Sequence, residues 1–80
     1  MNTTELNVAM VRKNATATQM ADAIKKSRVS FNRKKYGEVP FDANEILALA
    51  EALSLTLSDV NVIFFDSTLH DGNYKPAETP

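Results

Sequence analysis

The 80-residue chain has no cysteine, no tryptophan, one histidine, two glycines and three prolines. Without cysteine there can be no disulfide and no thiolate-held metal. His70 stands in a polar stretch with no companion at ligand or nucleophile spacing, so no enzyme chemistry, cofactor or metal site is expected. The lone Gly37 cannot build a glycine-rich phosphate cradle. No apolar run approaches the roughly 20 residues that span a bilayer, and the N-terminus lacks the basic-then-apolar order of a secretory signal. A membrane partner is therefore not expected. Eighty residues make one domain with a small core, which pairing with a second copy would help to stabilise.

Charge is plentiful but segregated. Of nine Lys and Arg residues, eight fall between Arg12 and Lys35. Residues 1–37 sum to +6 (eight basic, two acidic) and residues 38–80 to −7 (one basic, eight acidic), so the net charge of −1 conceals a polarised molecule. The densest stretch runs from Lys25 to Lys35, as KKSRVSFNRKK. A compact basic segment beside an acidic half suits a protein that meets a polyanion with one face.

Periodicity and capping signals predict an all-α, compact domain of four or five helices over residues 1–65. The first helix begins at Thr3 or Thr4 and runs through Lys13, with Leu6, Ala9 and Met10 on one face. Thr16 and Gln19 form a capping box for a second helix that carries Met20, Ala21 and Ile24 and ends near Lys25-Lys26. Ser27 caps a third over about residues 28–35, anchored by Phe31 and stopped at Gly37. Asp42 and Glu45 form the best-marked capping box, bracketed by Phe41 and Ile46 as a hydrophobic staple. The helix that follows should centre the core through Ile46, Leu47, Leu49, Ala50 and Leu53. Thr56 and Asp59 open a short fifth helix with Leu57 and Val60. The strand-forming segment Val62-Ile63-Phe64-Phe65 then makes an apolar C-terminal extension, which closes the core or meets another subunit. Residues 66–80 have little to bury and are expected to form a flexible tail.

These residues resemble the lambda-repressor and Cro-like helix-turn-helix family, particularly its small phage and prophage regulators. Thr16 to Gly37 (TATQMADAIKKSRVSFNRKKYG) looks like that family's second and third helices and closing glycine. Met20-Ala21 fills its Leu-Ala positions, Ile24 ends helix two, and Phe31 is the hydrophobic anchor of helix three. Phe41 to Ile46, Leu49-Ala50, Leu53, Phe64-Phe65 and the basic pair Arg33-Lys34 look like one phage-associated branch. Three positions depart from the pattern. Lys25 stands where the turn usually has glycine, Lys26 where it is commonly apolar, and Ala17 where a glutamine usually opens helix two.

The resemblance implies that helix three enters the major groove of double-stranded operator DNA. Arg28, Val29, Ser30, Asn32 and Arg33 are then the base-reading candidates: Arg suits guanine, Asn adenine, Ser a base or phosphate, and Val a thymine methyl. Gln19, Lys25, Lys26, Lys34, Lys35 and Tyr36 are the phosphate-contact candidates. Twofold pairing on two half-sites would make the protein a homodimer, with Val62, Ile63, Phe64 and Phe65 as dimer or partner contacts. The expected location is cytoplasmic, nucleoid-associated when bound to DNA. The altered turn and the missing glutamine leave a second function open, a protein-interaction modulator of a partner repressor, another phage regulator.

Overall fold

Each helix starts where a side chain can satisfy amides that its first turn leaves unpaired. In the computed structural model, which describes residues 1–65, Asn2 caps α1 (Thr3–Arg12) and Thr16 caps α2 (Ala17–Ala23). Ser27 caps α3 (Arg28–Lys35) and Asp42 caps α4 (Ala43–Leu53). Thr56 accepts from the Asp59 amide at the start of α5 (Leu57–Phe65), at 3.1 Å. The capping boxes expected from Thr16/Gln19 and Asp42/Glu45 close in both directions. The domain is all-α with five helices, and no strand occurs among the described residues. The expected 66–80 tail, with His70, lies outside those residues.

The first four helices end in one way. At Asn14, Lys25, Gly37 and Ser54 the chain turns left-handed, with φ of 54°, 60°, 85° and 53°. The amides of these residues bond back to Val11, Asp22, Lys34 and Glu51, and those one residue later to Met10, Ala21, Arg33 and Ala50. This is the paired Schellman pattern, and glycine is its usual occupant at the turning position. Here only one of the four is glycine. A Cβ at Gly37 would meet nothing within 4 Å, so the dihedral and not space favours glycine there.

α2 packs mainly on α3 and α4, and α5 closes over α1 and α4. Leu6, Phe31 and Leu49 are completely buried, with Met20, Ala21, Ile24, Leu53, Ile63 and Phe64 around them. Phe41 bridges the halves, its ring 6.0 Å from Phe31 and 5.5 Å, edge-on, from Phe64. Asn2 donates its amide to the Ile63 carbonyl at 2.7 Å, fastening the N-terminus to α5.

Four expectations need correction. α1 begins at Thr3 as expected but stops at Arg12, with Lys13 as its exposed cap. α2 ends at Ala23, ahead of Lys25-Lys26, because Lys25 takes the left-handed turn. Leu47 lies outside the core at 64% exposure, while Ile46 and Ala50 are only half-buried. Val62 to Phe65 is not an extended segment but the end of α5. Its burial drive is met by helical packing. Adjacent residues on a helix point about 100° apart, so Phe64 turns inward and Phe65 is left 60% exposed.

Candidate nucleic-acid interface

α3 has the composition of a solvated helix and the anchoring of a packed one. Ser27 Oγ accepts from the Ser30 amide at 3.1 Å to start it, and Arg33, Lys34 and Lys35 sit in the last turn, where cations favour the helix dipole. At about 100° per residue, Arg28, Asn32, Tyr36, Val29 and Arg33 fall within one arc, which begins at Arg28 on the flank of Phe31 and runs round to the far side of the helix. Their environment agrees: all are exposed except half-buried Asn32. Val29 is 68% exposed and Tyr36 62%. Ser30 falls on the opposite flank and is half-buried.

The basic side chains divide into two groups. Lys25 and Lys26 stand exposed in the turn before α3. Arg33 is open and makes a 3.9 Å surface pair with Glu38, an interaction weak enough to be exchanged for an anionic ligand. Lys35 is half-buried; its ammonium reaches Asn7 at 3.1 Å and lies 5.0 Å from the centre of the Tyr36 ring. Thr3 donates its hydroxyl to the Lys35 carbonyl at 2.6 Å, holding the end of α3 to α1. Gln19 is exposed, but its side-chain oxygen accepts from the Thr16 amide, leaving its NH2 group to donate to a phosphate.

Lys34 behaves differently. Its ammonium lies 2.7 Å from both carboxylate oxygens of Glu45, and its side chain is only 11% exposed. Placed among the phosphate candidates by sequence, it is engaged inside the domain. Glu45 also accepts from the Asp42 amide at 2.9 Å and has Lys26 3.7 Å away. Burial pushes the Glu45 carboxyl up, but the Lys34 and Asp42 hydrogen bonds and the Lys34 charge outweigh it, leaving the group below its ordinary value.

Of the four α5 contact candidates, Ile63 and Phe64 are spent on the core and Val62 is half-buried, so Phe65 offers most of the free surface. It borders a 330 Å³ groove with Val39, Pro40, Phe41 and Ile46. Among the described residues no group of three or more metal-ligating side chains occurs, and no helix is long and apolar enough to cross a membrane.

A basic turn leading into a helix whose outer arc carries two arginines and an asparagine is a geometry suited to a DNA groove. The model of the Cro/C1-type HTH DNA-binding domain matches residues 5–66. The chain belongs to that family. No curated relative and no solved structure matches it. In a domain of this family α2 and α3 are the helix-turn-helix pair, and the Lys25-Lys26-Ser27 turn connects them. Sequence reasoning passed over Glu45 and Thr3 as supports of α3. For Lys34 helical spacing gave no signal, since Lys34 and exposed Arg28 each fall about 60° around the helix from buried Phe31.

Proposed function

We propose that this protein is a sequence-selective, double-stranded-DNA-binding transcriptional regulator of repressor or Cro-like type, acting in a phage or prophage. The outward arc of Arg28, Val29, Asn32, Arg33 and Tyr36, on a helix fixed from behind, carries this reading. It works by occupancy. Lys25, Lys26 and the Gln19 amide orient the domain on phosphates, while Arg28, Asn32 and Arg33 choose bases by paired hydrogen bonds. Bound protein then blocks or redirects polymerase. Two copies on half-sites about one helical turn apart would form the working homodimer, with Phe65 in its interface. The protein would reside in the cytoplasm, on the nucleoid when bound.

Binding to a randomised duplex library at several salt concentrations tests this. A selected sequence and a salt slope of several phosphates are expected, and Arg28→Ala should erode discrimination by about 1–3 kcal/mol. Equal, weak binding to all duplexes by folded protein would reject it. Sedimentation at tens of micromolar should show a dimer weakened by Phe65→Ser; intact monomer would reject the pairing.

A second reading, modulation of a partner repressor, draws on Ala17 in place of the usual glutamine and on the free Phe65 face. Capture of a neighbouring regulator without any selected duplex would favour it.

A further inference from the structure

Only one α3 residue, Phe31, is a fully buried apolar anchor. One anchor fixes where a helix lies but leaves its roll about its own axis loosely set. Thr3 and Asn7 hold the last residue of α3 to α1, and the constraint toward α4 is Lys34, about 60° around from Phe31, held at 2.7 Å by both Glu45 oxygens. Glu45 is itself fixed. Its carboxylate accepts from the Asp42 amide and its own amide donates to Asp42 Oδ1, at 2.9 and 2.8 Å. Two hydrogen-bonded steps thus join α3 to the first turn of α4. A buried ion pair adds little stability over an apolar pair of similar size, so such a pair is better placed to set geometry than to supply stability. We infer that Glu45, acting through Lys34, is the positioning residue that sets the roll of α3 and with it the aim of Arg28, Asn32 and Arg33.

The inference rests on α3 facing DNA. Base-reading atoms stand roughly 5–6 Å or more from the helix axis, so a roll of about 15° moves them by more than 1 Å. Phosphates tolerate that displacement because a flexible ammonium follows them; a bidentate contact to a base edge does not. Loosening the tether should therefore lower discrimination while leaving the electrostatic part of binding intact. Lys34 becomes a support, and the phosphate role falls to Lys25 and Lys26.

The test uses the full chain and the double variant Lys34→Met/Glu45→Gln. It removes both charges together, and the glutamine oxygen can still accept from the Asp42 amide. Affinity is measured for a duplex selected by the intact protein and for a random duplex, across a salt series, with folding checked by thermal melting. Lys25→Gln serves as the phosphate control, because Lys26 itself lies 3.7 Å from Glu45. The expected result is about a tenfold loss in the selected-to-random ratio, with the random-duplex affinity and salt slope unchanged. Lys25→Gln should instead flatten the slope by about one and weaken both duplexes alike. A double variant that folds and keeps full discrimination overturns the inference. So does one whose slope falls by about one with equal losses on both duplexes, since Lys34 would then be a phosphate contact. Should the double variant fail to fold, Glu45→Gln, which weakens the tie to Lys34 but keeps an acceptor for the Asp42 amide, provides the measurement: a lower selected-to-random ratio supports the tether, and full discrimination or equal losses overturn it. Intact protein that selects no duplex would remove the DNA reading itself, an outcome distinct from the others.

Discussion

The domain contains the same reciprocal capping box three times, and the two that carry a carboxylate at the third position differ in burial. Asp42 with Glu45 and Thr56 with Asp59 each exchange two hydrogen bonds across three residues, at 2.9 and 2.8 Å in the first and 3.0 and 3.1 Å in the second. Around Thr56 the device does only what its sequence spacing implies, which is to start a helix. At Asp42 the third-position carboxylate is 4% exposed and also receives the ammonium of Lys34, eleven residues upstream. The caps differ, a carboxylate at Asp42 and a hydroxyl at Thr56, but the hydrogen-bond pattern is shared, and burial of Glu45 separates the two places. A cap in water is a local feature of its own helix, whereas a cap in the core can become a joint between helices.

Removing the carboxylates should separate the two sharply. Glu45→Ala loses cap and ion pair together and strands Lys34, at an expected cost of about 3–5 kcal/mol. Denaturant unfolding measures it, and a loss below about 1 kcal/mol would mean the pair is not buried in solution. Next in size, Asp42→Ala removes one cap acceptor and should cost about 0.5–2 kcal/mol. Amide protection should fall through residues 42–50 and spread into α3, because Glu45 loses one of its restraints. Thr56→Ala should lie at the low end of the same range, with lost protection confined to α5. Protection lost equally in α3 for both variants would abolish the contrast.

Acid provides the finest comparison. Both Glu45 and Asp59 are held below their ordinary values, Asp59 chiefly by the Thr56 amide and then its hydroxyl. A carboxylate with a depressed folded pKa contributes stability that is fully present above its unfolded pKa, about 4. That contribution is lost as pH falls through the lower folded value. Stability measured from neutral pH down to about pH 2.5 should therefore decline, and Glu45→Gln should flatten the decline more than Asp59→Asn. A larger effect from Asp59→Asn, whose capping hydrogen bonds are exposed and screened, would reverse the ranking of the two sites.

Helix starts were legible because capping is written in residues three apart, and Thr16/Gln19, Asp42/Glu45 and Thr56/Asp59 could each be read locally. Ends were less so. Gly37 announced its turn, but Lys25 and Ser54 take left-handed conformations that their side chains do not advertise. The resemblance flagged Lys25 as the occupant of a glycine position, with a backbone cost if the turn stays left-handed there. The apolar run after Val60 looked like strand because β-branched and aromatic residues sit together; packing on α1 and α4 outweighs that local preference. At the site, the outer arc of α3 follows from helical spacing. The division of its cations does not, since the partner that withdraws Lys34 belongs to another helix.

The left-handed lysine in the turn before α3 sets two selective pressures against each other. Glycine at position 25 would relieve a backbone cost of about 1 kcal/mol, the kind of substitution that selection for heat resistance would find early. It would also delete a positive charge from the turn that leads into α3. On the DNA-binding reading, thermostability and operator affinity are antagonistic at this one residue. Variants selected for growth at high temperature should be enriched in Lys25→Gly, and variants selected for occupancy at high salt should retain the lysine.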